Sequence, residues 1–214
     1  MIKKIIKDIA NFAGYVFIKK IDNELANTTS FNKDLIKKFS KYTMTSNVKI
    51  FSLIKAFEYV NKFKIAGDFV ECGVYTGGNI MILKKLIEKN KLNRKIYAYD
   101  TFEGMPAPTS YDVKIDGTIA KKKFKKKNWV YCSLDKVKQN FKETKLNTQN
   151  IKFIKGKVEN TLKIKKNLPK KISILRLDTD FYESTKSELQ KLYPLLVEGG
   201  VLIIDDYGSW LGSK

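Results

Sequence analysis

A chain of 214 residues has room for one sizeable core and excludes two comfortable domains. Its 42 lysines and arginines against 22 acids give a net charge of +20, yet Arg94 and Arg176 are the only arginines, so the planar fork that reads phosphates and base edges is nearly absent and no specific nucleic-acid partner is expected. Two cysteines, Cys72 and Cys132, exclude a disulfide framework and fit a reducing cytoplasm.

The predicted elements begin with helices over residues 1–65, read as an N-terminal extension or cap to a main unit at 66–214, the whole forming one structural domain. Apolar residues at positions 2, 5, 6, 9, 12, 13, 16 and 17 follow helical spacing among lysines. Such a basic amphipathic helix packs on the domain or a partner, or makes peripheral contact with a membrane surface. Its apolar stretch is far short of the ~20 residues of a membrane span. A second helix is expected around Phe31 to Ser40. A third runs from about Asn47 to Phe63, capped by Ser46 or Asn47, with Leu53, Ala56, Phe57 and Val60 as its apolar stripe.

The pattern then changes. DFVECGV (Asp68 to Val74) reads as a buried strand, and the Gly77-Gly78 turn leads into a helix with Ile80, Met81, Leu83, Leu86 and Ile87 inward. KIYAYD (Lys95 to Asp100) is a second strand. A long segment follows, with Pro106, Pro108 and the run KKKFKKK (Lys121 to Lys127), an exposed loop or helix end suited to attract an acidic substrate such as a nucleotide sugar. A helix from Leu134 to Thr144, a strand NIKFIKG, a strand SILRLD, a helix from Glu183 to Leu196 and a strand VLIID complete the chain. Strands alternating with helices predict an α/β fold whose parallel sheet is covered on both faces.

Three constellations carry chemistry. Glu71-Cys-Gly73-Val-Tyr75-Thr76-Gly77-Gly78 is a strand-to-helix turn whose glycines permit close backbone approach, although it departs from the dinucleotide fingerprint G-x-G-x-x-G. Asp100 ends the next strand, where an acid can accept hydrogen bonds from both hydroxyls of a ribose. Asp178, Asp180, Asp205 and Asp206 end two neighbouring strands, and four converging carboxylates call for a cation between them. An all-oxygen donor set in a chain without histidine favours magnesium, manganese or calcium over zinc. General-base work falls to a carboxylate, lysine or tyrosine.

YTMTS, GDFVECGVYTGG, YDTFEGMP, LRLDTDFYEST and GGVLIIDDYGSW, collinear from about residue 40 to the end, closely resemble the macrocin O-methyltransferase family. The resemblance implies a Rossmann-like class I fold and an S-adenosyl-L-methionine- and magnesium-dependent transfer of a methyl group to a sugar hydroxyl. It implies that Glu71, Gly73 and the loop Tyr75-Thr76-Gly77 hold the methionine part of the cofactor. Asp100, with Thr101 and Phe102 beside it, would hold the ribose, and Ser133 and Gly156 would lie near the adenine. Asp178, Asp205 and Asp206 match the metal ligands (Mg2+ or Mn2+), and Asp180 matches a position that acts as base. The acceptor would be a sugar-containing small molecule or glycan. Class I methyltransferases follow the fifth strand with an antiparallel strand hairpin, which is expected to be missing here because only Ser213 and Lys214 follow the YGSWLG motif. The exposed strand edge would then favour a homo-oligomer. A truncated cofactor-binding homologue without catalysis and a basic nucleic-acid-binding protein are the competing readings.

Overall fold

The computed structural model describes residues 28–124 and 130–213; the amphipathic segment 1–21 and Lys125 to Lys127 lie outside them. Five strands form one sheet: β1 (Asp68–Cys72), β2 (Ile96–Asp100), β3 (Ile151–Lys155), β4 (Ile172–Leu177) and β5 (Leu196–Ile204). All pair in parallel, in the order β3-β2-β1-β4-β5. The winding direction reverses between β1 and β4, and the crevice outside the carboxyl ends of such strands is where open α/β sheets bind ligands.

The helices are α1 (Ser30–Phe39), α2 (Asn47–Lys62), α3 (Gly78–Lys89), α4 (Ala120–Lys123), α5 (Leu134–Glu143), α6 (Val158–Thr161) and α7 (Tyr182–Leu192). Strand side chains alternate between faces, so each strand feeds two cores. Phe69, Ala98 and Ile174 join Leu35, Ile50, Phe57, Ile80 and Phe141 on one face. Val70, Cys72, Tyr99, Leu175 and Leu177 join Val158, Leu162 and Leu192 on the other. Both faces are covered, and the strands are accordingly apolar almost throughout. α1 and α2 share the first core with the sheet. The predicted stripe Leu53, Ala56, Phe57 and Val60 is buried, and Ser46 caps α2 by accepting from the Lys49 amide at 3.4 Å.

Two boundaries differ from the sequence expectation by several residues. The helix expected to reach Leu196 ends at Leu192, and a 3-10 turn with Pro194 follows. Proline lacks an amide donor and clashes with the preceding turn. β5 begins at Leu196, well before VLIID, because its pairing with β4 skips a bulge between the pairs Ile172↔Leu196 and Ile174↔Val201. The Glu198-Gly199-Gly200 run, despite its glycines, lies within that strand. Among the described residues β5 is an outer strand of the sheet, and no described helix is long and apolar enough to cross a membrane.

Candidate active site

A cavity of about 360 Å³ opens over the carboxyl ends of the strands, within the range of small-molecule sites. Of the residues implicated from sequence, Gly73, Tyr75, Asp100, Thr101, Gly156, Asp178, Asp180, Asp205 and Asp206 line it. Glu71 lies buried just beneath, hydrogen-bonded to Asn79, which does line the cavity. Thr76, Gly77, Phe102 and Ser133 are not among the lining residues. Thr76 Oγ1 donates to the Tyr42 carbonyl. Gly77 caps α3 in a left-handed conformation, Phe102 is packed in the core, and Ser133 caps α5 through the Lys136 amide.

The β1 turn is held by its own neighbours. Gly73 has φ +87°, and a Cβ there would stand 2.0 Å from the Asp178 carbonyl oxygen, so the ends of β1 and β4 approach as only glycine allows. Asp100 Oδ2 accepts from the amides of Val74 at 2.7 Å and Tyr75 at 2.9 Å, while Oδ1 accepts from the Phe102 amide at 2.7 Å. A carboxylate offers about four acceptor positions. Asp100 therefore splints the turn to β2, and these three amides, with Thr101 Oγ1 3.4 Å from Oδ1, take most of its acceptor positions.

Beneath the cavity lies a buried ion network that the sequence reading missed. In-register pairing sets Glu71 of β1 beside Arg176 of β4, on the face covered by α2 and α3. Arg176 Nη1 donates to Glu71 Oε1 at 2.6 Å and Asp178 Oδ2 at 2.9 Å; Nη2 donates to Asp205 Oδ1 at 2.8 Å and Thr45 Oγ1 at 3.0 Å. Lys49, from α2, caps Asp205 Oδ2 at 2.8 Å. Burial by itself would lower the Arg176 pKa, but Glu71, Asp178 and Asp205 raise it, and the guanidinium stays charged. Burial likewise works to raise Asp205, yet Arg176 and Lys49 hold it below the usual carboxylate range. Glu71 is pushed up to about 6 by burial, partly offset by Arg176 and Asn79. Its second oxygen, Oε2, is buried without a hydrogen-bond partner among the described residues, as is Asn79 Oδ1. Buried carboxylate oxygens are rarely left so, and an orphan acceptor beside a cavity suits a ligand's amino group.

The aspartates meet as the strand ends suggested. One oxygen from each of Asp178, Asp205 and Asp206 lies within 4.8 Å of the others. Asp180, at φ +63°, turns its carboxyl to a hydrogen bond with Asp206. The protein supplies part of the counter-charge itself, through Arg176 and Lys49, which the sequence reading had assigned wholly to a metal. Those two cations do not balance the acids of Glu71, Asp178, Asp180, Asp205 and Asp206. Protons take up the excess. Burial and the neighbouring carboxylates push Asp178 up to about 8 and Asp180 up to about 9. An oxygen-only cluster that must hold protons at neutral pH fits a hard divalent cation.

The roof is tied down from elsewhere. α7 has no side-chain cap of its own. Asp112, buried in the loop after β2, accepts from the Tyr182 amide at 2.9 Å and from the Thr109 amide at 2.6 Å. Lys114 bridges to Trp210, whose ring meets Phe181 edge-on at 5.5 Å. This anchors the segment that brings Met105 and Pro106 to the cavity.

The sequence profile of the macrocin-O-methyltransferase (TylF) family matches residues 18–214. The chain belongs to this family. Demethyldecarbamoylnovobiocin O-methyltransferase of Streptomyces niveus is 29% identical over 171 residues, covering 78% of this chain and 62% of that protein. The 8-demethyl-8-(2,3-dimethoxy-alpha-L-rhamnosyl)-tetracenomycin-C 4'-O-methyltransferase of Streptomyces olivaceus is 31% identical over 169 residues, with the same coverage of 78% and 62%. Among solved structures, the O-methyltransferase NovP superposes with a TM-score of 0.67 at 27% identity, covering 78% of this chain and 67% of that one. The chain thus spans about 62% of the length of these two relatives.

Arg176 and Glu71 stood in plain view in the sequence, and their partnership had one available signal. Each is a charged residue flanked on both sides by apolar ones within its strand, which parallel sheets tolerate only as pairs. Lys49, Thr45, Asn79 and Asp112 carried no such signal, because each looks like an ordinary helix or loop residue until the fold brings it in.

Proposed function

We propose that the protein transfers a methyl group from S-adenosylmethionine to a sugar hydroxyl of a small molecule or glycan, assisted by a divalent cation. The observation that carries this reading is that one cavity joins the Glu71–Asp100 turn to the aspartate cluster, in a chain of this family. Glu71 Oε2 supplies the vacant acceptor for the cofactor's amino group, and Asp100 one acceptor for the ribose. When bound, the cofactor would supply a sulfonium methyl group: the acceptor oxygen would form a bond to that carbon in line as the carbon–sulfur bond breaks, the thioether leaving and the hydroxyl proton being released. Asp178, Asp205 and Asp206 would hold Mg2+ or Mn2+, which lowers the proton affinity of an oxygen it binds. Asp180 sits beside that cluster and is the group assigned to receive the acceptor proton once the cluster's charge is balanced. The rest of the rate comes from aligning two bound reactants. The name of the Streptomyces olivaceus relative describes a rhamnosyl group carried on tetracenomycin C, and a sugar on a larger aglycone is the acceptor class proposed here.

Calorimetry with S-adenosylmethionine and with Mn2+, and transfer of labelled methyl to a panel of sugar nucleotides and glycosides, test the reading. Both ligands are expected to bind. Asp178→Ala is expected to weaken Mn2+ at least tenfold and abolish transfer while leaving metal-free cofactor binding largely intact. Full transfer in that variant, or in excess chelator, would count against the metal role; absence of any cofactor binding would remove the whole proposal.

A further inference from the structure

Four N–H donors of one side chain link the two halves of the site. Arg176 is 2% exposed, and its guanidinium reaches Glu71 on the donor side and both Asp178 and Asp205 on the acidic side, with Thr45 completing its hydrogen bonds. We propose that Arg176 is a positioning residue that couples the two halves, so that a divalent cation on the aspartates tightens the hold of Glu71 on the methyl donor. This rests on the function proposed above.

The guanidinium is planar and rigid, so its bonds to Glu71 and to the aspartates cannot be adjusted independently. Its single positive charge is divided among three buried or half-buried carboxylates in a low-dielectric setting, where each interaction is strong. When the charges of Asp178 and Asp205 are met by another cation, more of the guanidinium's attraction is left for Glu71. Glu71 is then held with Oε1 fixed between Arg176 and Asn79, and with Oε2, the oxygen that lacks a protein partner, presented to the ligand. Neighbouring strands β1 and β4 provide the rigid base, since Glu71 and Arg176 are paired in register.

The test is a binding cycle on the full chain with S-adenosylhomocysteine and Mn2+ as probes, read by calorimetry. In the wild type, saturating Mn2+ is expected to tighten S-adenosylhomocysteine at least fivefold, and linkage requires the nucleoside to tighten Mn2+ by the same factor. Arg176→Lys keeps the charge but loses the fork, and the factor should fall below twofold. Glu71→Gln, which leaves the guanidinium on its aspartates, should retain Mn2+ affinity yet lose the coupling; it serves alone if circular dichroism shows the lysine variant unfolded. A purely structural role would weaken both affinities and leave their ratio unchanged. A wild-type factor below twofold with both probes bound, or coupling retained in either folded variant, overturns this inference alone. Failure of the wild type to bind either probe overturns the proposed function first.

Discussion

Glu188 on α7 is fully buried, accepts from Thr179 Oγ1 at 3.0 Å, and lies against the Cys72 thiol beneath the aspartate loop. Burial pushes its carboxyl from the ordinary 4.5 up to about 8, partly offset by the Thr179 and Cys72 hydrogen bonds. Because the folded value is the higher one, its contribution to stability is complete below about pH 4.5 and is lost as pH climbs toward 8. Glutamine keeps the shape and can still accept from Thr179, but it cannot ionise. At about 1.4 kcal/mol per pKa unit, the stability of Glu188→Gln relative to wild type should rise by roughly 3 kcal/mol between pH 5 and pH 7.5. Urea denaturation of both proteins across that range measures the difference directly. Subtracting the two curves removes the similar dependence that Asp178 and Asp180 impose on both. A difference that stays constant with pH would mean that Glu188 titrates like a solvated carboxylate, and the argument from burial would fail.

Gly73→Ala should be among the most damaging small changes, since its Cβ would sit 2.0 Å from the Asp178 carbonyl at a backbone angle of φ +87°. Either cooperative unfolding is lost in thermal denaturation, or S-adenosylhomocysteine binds at least tenfold more weakly; wild-type values of both would show that β1 and β4 do not need this approach. Asp112→Ala removes the cap of α7 and the anchor of Thr109 together, an expected cost of about 1–3 kcal/mol in denaturant titration. Protease cleavage between Met105 and Ala120 should accelerate in the same variant, and an unchanged cleavage rate would refute the role of Asp112 as the tie.

The two faces of the sheet and the aspartate cluster were legible because they depend on local pattern. Phe69, Glu71 and Gly73 alternate with Val70 and Cys72, and this period of two assigns each to a face whatever packs on it. VLIIDD and LRLDTD likewise announce apolar strands ending in acid, although only β4 is buried and β5, at the outer edge of the sheet, is half-buried. The start of β5 was not legible: Glu198-Gly199-Gly200 has turn composition and becomes strand only because β4 lies alongside to pair with it.

By itself, then, the order of residues determined which segments are apolar strands, that carboxylates end two of them, and that the fold is an open α/β sheet, because apolar periodicity and glycine geometry act over a few neighbours. Tertiary structure decided how those acids are balanced. Arg176 became the shared counter-ion of Glu71, Asp178 and Asp205 only through strand adjacency, and Lys49 and Asp112 reached their partners across 156 and 70 residues of sequence. Electrostatic pairing depends on distance in space, which no local pattern encodes.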